Sequence, residues 1–333
     1  MVNSEKCLDF FYIGIFNGEC GRLIKCAPIH EEASMWKGGP IGCSTNCYHG
    51  FDLDTALKGI ADAGFEYVEL TSVIDYTEHV MPERMTGEDR ETLITKLKKY
   101  GLSPISLSGH SNLASREGVE SFKRRLDFAK DVGITVVNTG PGDVEDSAGR
   151  KRFFDFVSEV ADYAAATGVT VALETHGELM GSGKASAEII RTINSPWILI
   201  NYDTGNVIFY GGVRPEEDIR FALPYLAHIH LKDKRGGTKV WDFPPLGAGE
   251  VDFPAIFKIL SEEGYEGPIS VEIEVLGKDI IPAWLVSDEK GEIVSEEKRR
   301  YGPEIVDRAL DASMGYLRTL LKHPGRGRKV RGR

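Results

Sequence analysis

The chain has 333 residues, 41% of them hydrophobic and 27% charged, with a formal net charge of −11. That length and apolar content can fill a large core without disulfide staples, and the acidic balance disfavours non-specific binding to a phosphate backbone. No apolar run approaches the ~20 residues of a membrane span, and the first residues carry neither a basic n-region nor an A-x-A cleavage pattern, so a cytoplasmic protein is expected.

Residues 1–40 read as an N-terminal extension. Leu8 to Phe16 and Arg22 to Cys26 flank the glycine-rich turn Asn17 to Gly21, which predicts a hairpin. All the cysteines lie near this end: Cys7, Cys20, Cys26, Cys43 and Cys47. Their odd number and spacing match no zinc or iron–sulfur pattern. Reduced thiols are expected, with a redox or metal role as the alternative.

The main domain spans 41–322 and opens with a strand over Ile41 to Cys47, in which Cys43, Thr45 and Cys47 would share one face. A helix follows from Leu53 to Ala63, its apolar stripe formed by Leu53, Ala56, Leu57, Ile60 and Ala61 and its stop by Gly64. Phe65 to Leu70 is the second strand. Glu69, near its end, either lines a pocket or pairs with a neighbouring strand residue. Residues 71–86 contain Pro82 and few periodic apolar positions, so they predict a long loop over the functional face, a candidate lid. Glu88 to Tyr100 is helical and Ser103 to Ser108 a strand. His110 follows that strand as a substrate-binding or proton-shuttling group, or as a structural histidine. A helix over Glu117 to Val132, a strand over Ile134 to Thr139 carrying Asn138, a turn at Gly140 to Gly142 and a long helix from Ser147 to Thr167 complete the first half.

Four apolar runs in the second half each end on a metal-capable side chain: Val169 to Glu174, Trp197 to Asp203, Leu226 to His230 and Ile269 to Glu272. Short, β-branched and nearly unbroken, they suit strands buried on both faces of a parallel sheet. Helix-like segments between them make a β-α-β-α alternation. In a parallel barrel all strand C-termini open on one face, so Glu174, Asp203, His230 and Glu272 would converge. Three carboxylates and an imidazole suit one divalent cation that prefers oxygen. Mn²⁺ is the first expectation, Co²⁺ and Mg²⁺ the alternatives.

At these residues the chain resembles the xylose isomerase-like TIM-barrel superfamily of sugar isomerases and epimerases, inosose dehydratases and endonuclease IV. The matching stretches are Leu173 to His176, Tyr202 to Asn206, His228 to Asp233, Leu246 to Phe253 and Gly267 to Glu272, within roughly residues 41–322. The resemblance implies an α/β fold, a (β/α)8 TIM barrel. It also implies that Glu174, Asp203, His230 and Glu272 hold the metal, with Glu174 and Glu272 as the catalytic acid/base pair. Asn206 stands where ketose 3-epimerases carry a substrate-contacting histidine, which leaves the substrate open. In the frame where endonuclease IV has further metal ligands, this chain has Trp241 and Phe243, so neither a trinuclear site nor a nucleic-acid substrate is expected.

The expected substrate-binding residues are His110, His176, Asn206, Lys232, Arg235 and Trp241. Alternatives stay open for several of them: His176 as a partner of Glu174, Lys232 and Arg235 as solvated charges, Trp241 and Phe243 as loop packing. A helix over Asp252 to Glu263 precedes the last strand, and Glu274 lies just past Glu272. An insertion from Gly277 is a second lid or a subunit contact, and Tyr301 to Lys322 is the closing helix. Residues 323–333 read as a basic, glycine-rich disordered tail, solvated, with binding to nucleic acid or an acidic partner as the alternative.

Functionally, these residues predict a metal-dependent sugar isomerase or epimerase. A metal acting as Lewis acid would stabilise an enediolate while the two glutamates exchange the proton α to the carbonyl. A lyase or dehydratase acting on a keto-sugar or inosose is the alternative within enzymes. A non-catalytic sugar-binding barrel is the alternative outside them, and the intact ligand set argues against it. The expected partner is a small sugar or polyol, with no membrane association, and the expected assembly is a homo-oligomer, dimer or tetramer.

Overall fold

The computed structural model describes residues 36–274 and 302–322. The expected N-terminal hairpin, the insertion from Gly277 and the basic tail lie outside the described residues. Eight parallel strands close into a barrel in chain order. They are β1 (Ile41–Ser44), β2 (Tyr67–Thr71), β3 (Ser103–Ser108), β4 (Val136–Thr139), β5 (Thr170–Glu174), β6 (Ile198–Asp203), β7 (Leu226–Leu231) and β8 (Ile269–Val271). The seam joins β8 to β1, with Ile41 opposite Ile269 and Cys43 opposite Val271.

Helices α1 (Leu53–Asp62), α2 (Gly87–Tyr100), α3 (Arg116–Val132), α4 (Ser147–Thr167), α5 (Gly183–Ile193), α6 (Asn206–Phe209), α7 (Pro215–Ala222), α8 (Phe253–Glu262) and α9 (Glu304–Lys322) fill the connections. Their ends follow local chemistry. Thr86 and Asp89 form a capping box on α2, and the side chains of Ser115 and Asp146 cap α3 and α4. Both α3 and α4 stop at left-handed glycines, Gly133 (φ 78°) and Gly168 (φ 74°), where a side chain would be strained. Among the described residues no helix is long and apolar enough to cross a membrane.

Two expectations change. The first strand ends at Ser44 instead of running to Cys47, because the Ser44 hydroxyl accepts the Asn46 amide and starts a 3-10 turn over Thr45–Tyr48. Cys43 and Cys47 therefore do not alternate along one strand. Their sulfurs lie 3.7 Å apart in the core, and Cys47 Sγ contacts the Val271 carbonyl at 3.6 Å. The loop at 71–86 is a tethered wall, not a free lid. Arg125 of α3, fully buried, binds Glu83 at 2.5 Å and the Ser72 carbonyl at 3.0 Å, and Val80 donates back to the Thr71 carbonyl.

Candidate metal centre

Barrel closure brings together four side chains that sequence scatters over a hundred positions. Glu174 ends β5, Asp203 ends β6, His230 lies near the end of β7 and Glu272 directly follows β8. One ligand atom from each falls within 4.8 Å of the others, and all four residues are buried. Glu174 Oε1 is 2.7 Å from His230 Nδ1, and Glu272 Oε2 is 3.4 Å from the same nitrogen. Asp203 uses one oxygen to accept the amides of Gly205 (2.8 Å) and Asn206 (2.9 Å). Its other oxygen, Oδ2, is buried with no hydrogen-bond partner among the described residues. Its countercharge is the Lys232 ammonium at 3.2 Å, and a buried carboxylate oxygen beside three further ligand groups matches the need of a cation.

Behind His230 stands Glu69, left open by the sequence. It is fully buried and pairs with its neighbours: Oε1 is 2.9 Å from His230 Nε2, and Oε2 accepts from Ser106 (2.8 Å) and Asn138 (2.5 Å). A carboxylate on one imidazole nitrogen fixes the ring so that the other faces the metal position. His228 also borders Glu69, but Asn201 and Ser270 occupy its two nitrogens at 2.9 and 3.0 Å. The cluster Glu69–His228–His230 is thus a satisfied network beneath the centre.

Lys232 is the buried countercharge. Its ammonium lies 2.8 Å from Glu272, 3.2 Å from Asp203 and 3.2 Å from Glu274. Burial works against its charge, but Asp203, Glu272 and Glu274 more than offset that and hold it well above the usual lysine range. His230 behaves alike: burial lowers it, while Glu69, Glu272 and Glu174 raise it well above a free histidine. Burial pushes Asp203 up to about 7 against the pull of Lys232. Glu272 is buried too, yet Lys232 and His230 bring it below the ordinary value. The carboxylates thus lean on an ammonium and an imidazolium where the donor set suits a divalent ion.

A cavity of about 280 Å³ opens above the four residues. His110, His176, Asn206, Lys232 and Trp241 line it. His110 Nε2 is 3.6 Å from Glu174, and His176 Nε2 meets the hydroxyl of Tyr210 at 2.7 Å. Phe243 is buried beside the Lys232 ammonium, with 5.2 Å from nitrogen to ring centroid, and packs edge-on against Trp241. Arg235 is placed differently: it is exposed, pairs with Asp242 at 3.0 Å and lines an adjoining cavity instead of the central one. Sequence reasoning passed over Asn46, whose amide donates to Glu272 at 3.0 Å, and over Tyr76 and Tyr210 in the cavity wall. Asn46 sits in the 3-10 turn read as strand, and no spacing rule marks an aromatic in a loop.

Three carboxylates and one histidine thus meet at the C-terminal mouth of an eight-stranded parallel barrel. The sequence model described as "Xylose isomerase-like TIM barrel" matches residues 57–296, and the chain belongs to that family. It is 28% identical over 225 residues to the L-ribulose-5-phosphate 3-epimerase UlaE of Escherichia coli, covering 63% of this chain and 78% of that one. Among solved structures it resembles D-allulose 3-epimerase from a Methylomonas species in complex with D-allulose (TM-score 0.64, 18% identity, 86% and 98% coverage). A xylose isomerase-like barrel from Mycobacterium smegmatis in complex with magnesium superposes as well (TM-score 0.64, 19% identity, 86% and 98% coverage). These last two likenesses are of fold.

Proposed function

We propose that this protein is a divalent-metal-dependent sugar epimerase or isomerase that moves a proton on the carbon next to a carbonyl. The convergence of Glu174, Asp203, His230 and Glu272 around one buried position carries the reading. The epimerase relatives support the reaction class. A cation held by these four would act as Lewis acid toward the substrate carbonyl.

The remaining work falls to side chains. Glu174 and Glu272, on strands five and eight, flank the cavity from two sides, so one can take the proton and the other return it. Both carboxyls are held below their ordinary range, each against its own burial. They are therefore ionised at neutral pH and ready to accept. Lys232, 2.8 Å from Glu272, holds that carboxylate in place and offers a positive charge to a developing oxyanion. Asp203, fixed by two backbone amides, and His230, braced by Glu69, serve ligation. His110 and His176 with Tyr210 offer hydrogen bonds to sugar hydroxyls, and Trp241 and Phe243 an apolar wall for the sugar's C–H face.

The test is turnover of a ketose panel in deuterium oxide. Chelation should abolish both epimer formation and deuterium uptake at the epimerised carbon, and Mn²⁺, Co²⁺ or Mg²⁺ should restore them. Undiminished turnover by demonstrably metal-free protein would overturn the proposal, and water loss without epimer would make it a lyase.

A further inference from the structure

Two further cavities adjoin the central one, and their charges differ. The first, about 580 Å³, shares His110, His176 and Tyr210 with it and, among its described lining residues, sets Asp143, Glu145 and Glu178 against Lys239. The second, about 430 Å³, shares Trp241, Phe243 and Glu274 and carries Arg235 and Arg308. Each of its two acids has a cation beside it, although Glu274 shares Lys232 with Asp203 and Glu272 and leaves its Oε2 without a hydrogen bond among the described residues. Asp242 pairs with Arg235 at 3.0 Å, and Glu274 with Lys232 at 3.2 Å. Arg308 is left over. It stands with Ile305 and Ala309 on one face of α9, lines the cavity, and has no hydrogen bond or ion pair among the described residues.

We propose that this second cavity is an oxyanion subsite that takes the phosphate of a phosphorylated ketose, with Arg308 as its principal contact. The assignment rests on the sugar epimerase reading above and names its substrate class. A guanidinium presents a planar fork of donors that matches phosphate oxygens and keeps its charge at any relevant pH. The first cavity, with acids in excess, would repel the same group. Reach is also suitable. One ammonium, Lys232, is 3.2 Å from both Asp203 and Glu274, so only a few carbon atoms separate the metal position from the boundary of the second cavity. A chain reacting near its carbonyl would lie along Trp241 and Phe243 and leave its far end against Arg308.

The experiment compares the full-length, metal-loaded chain with Arg308→Gln and Arg308→Lys. Its substrates are one ketose, its terminal phosphate ester and the matching keto-uronate. Arg308 is exposed, so the substitutions should leave the fold intact, which circular dichroism verifies. In Arg308→Gln the ratio of phosphate-ester KM to neutral-ketose KM should rise about tenfold or more, the loss of one charge-assisted contact. Lysine should recover part of it. Inorganic phosphate, titrated calorimetrically, should bind the wild type and lose about tenfold in Arg308→Gln. An unchanged KM ratio with equal phosphate binding in all three proteins overturns the subsite, and preference for the keto-uronate overturns the phosphate assignment. If no ketose turns over, the epimerase reading fails. Phosphate binding that depends on Arg308 would still support the subsite.

Discussion

Among the four converging side chains, ligation and proton transfer call for different chemistry, and single substitutions separate them. Glu272→Gln keeps one oxygen that can face the ion, gives up the acceptor that Asn46 donates to, and removes the group that accepts a proton. Metal occupancy should persist while turnover and solvent-deuterium uptake fall by about 10² to 10⁴. Asp203 has one oxygen committed to the amides of Gly205 and Asn206 and one beside the Lys232 ammonium at 3.2 Å. Asp203→Asn can preserve the first contact but weakens the second, so its lost activity should return with excess metal. Near-wild-type turnover by Glu272→Gln with metal bound would remove that residue from proton transfer.

At the level of elements, the loop after β7 is organised by one carboxylate. Asp233 accepts the amides of Lys234 (2.8 Å), Gly247 (2.8 Å), Gly249 (2.8 Å) and Val251 (3.2 Å), and its side chain is fully buried. This pins the excursion that carries Trp241 and Phe243. Asp233→Ala leaves those donors unpaired and should cost about 2–4 kcal/mol, read as a Tm lower by several degrees together with altered Trp fluorescence and a raised KM. Wild-type values for all three would show that the loop holds without it. Asp233 also marks what the sequence could and could not say. The sequence pattern placed β3 and α4 to the residue, and the strand-end rule found the four converging side chains, because burial on both faces leaves a plain apolar run before each. The pinning of 71–86 by Arg125 was not legible, since a buried arginine reads as an exposed one. Neither was the pairing of Arg235 with Asp242, seven residues on, which turns it out of the central cavity. Glu69 could be placed near a strand end, but its bond to His230 depends on barrel curvature that no local pattern encodes.

For the molecule as a whole, uptake of a cation at this centre would be coupled to protons. Glu174 and Glu272 are already ionised, whereas Asp203 titrates at about 7 and His230 well above its ordinary value. Between the usual carboxylate range and about 7 the metal-free fold holds a proton on Asp203 that the unfolded chain lacks. Above the free-histidine range the same applies to His230. Both groups therefore stabilise the metal-free fold at low pH, and that contribution fades as pH rises through the folded values. Binding a cation must displace these protons, so affinity should climb with pH, by about tenfold per unit for each proton released. Calorimetry in buffers of different ionisation enthalpy should count about one to two protons per ion. A dissociation constant that stays flat from pH 5.5 to 7.5 would contradict this.

The order of the ligands along the chain has a consequence for lifetime. They come from β5 to β8, and the last of them follows the strand that pairs with β1 to close the barrel. A growing or refolding chain thus has no complete shell to offer until closure is finished. If the seam closes after the transition state, an ion held by all four should leave the rate of folding as it is and slow the opening of the seam. Chains made when the ion is scarce would reach the same barrel as quickly, and last less long in it.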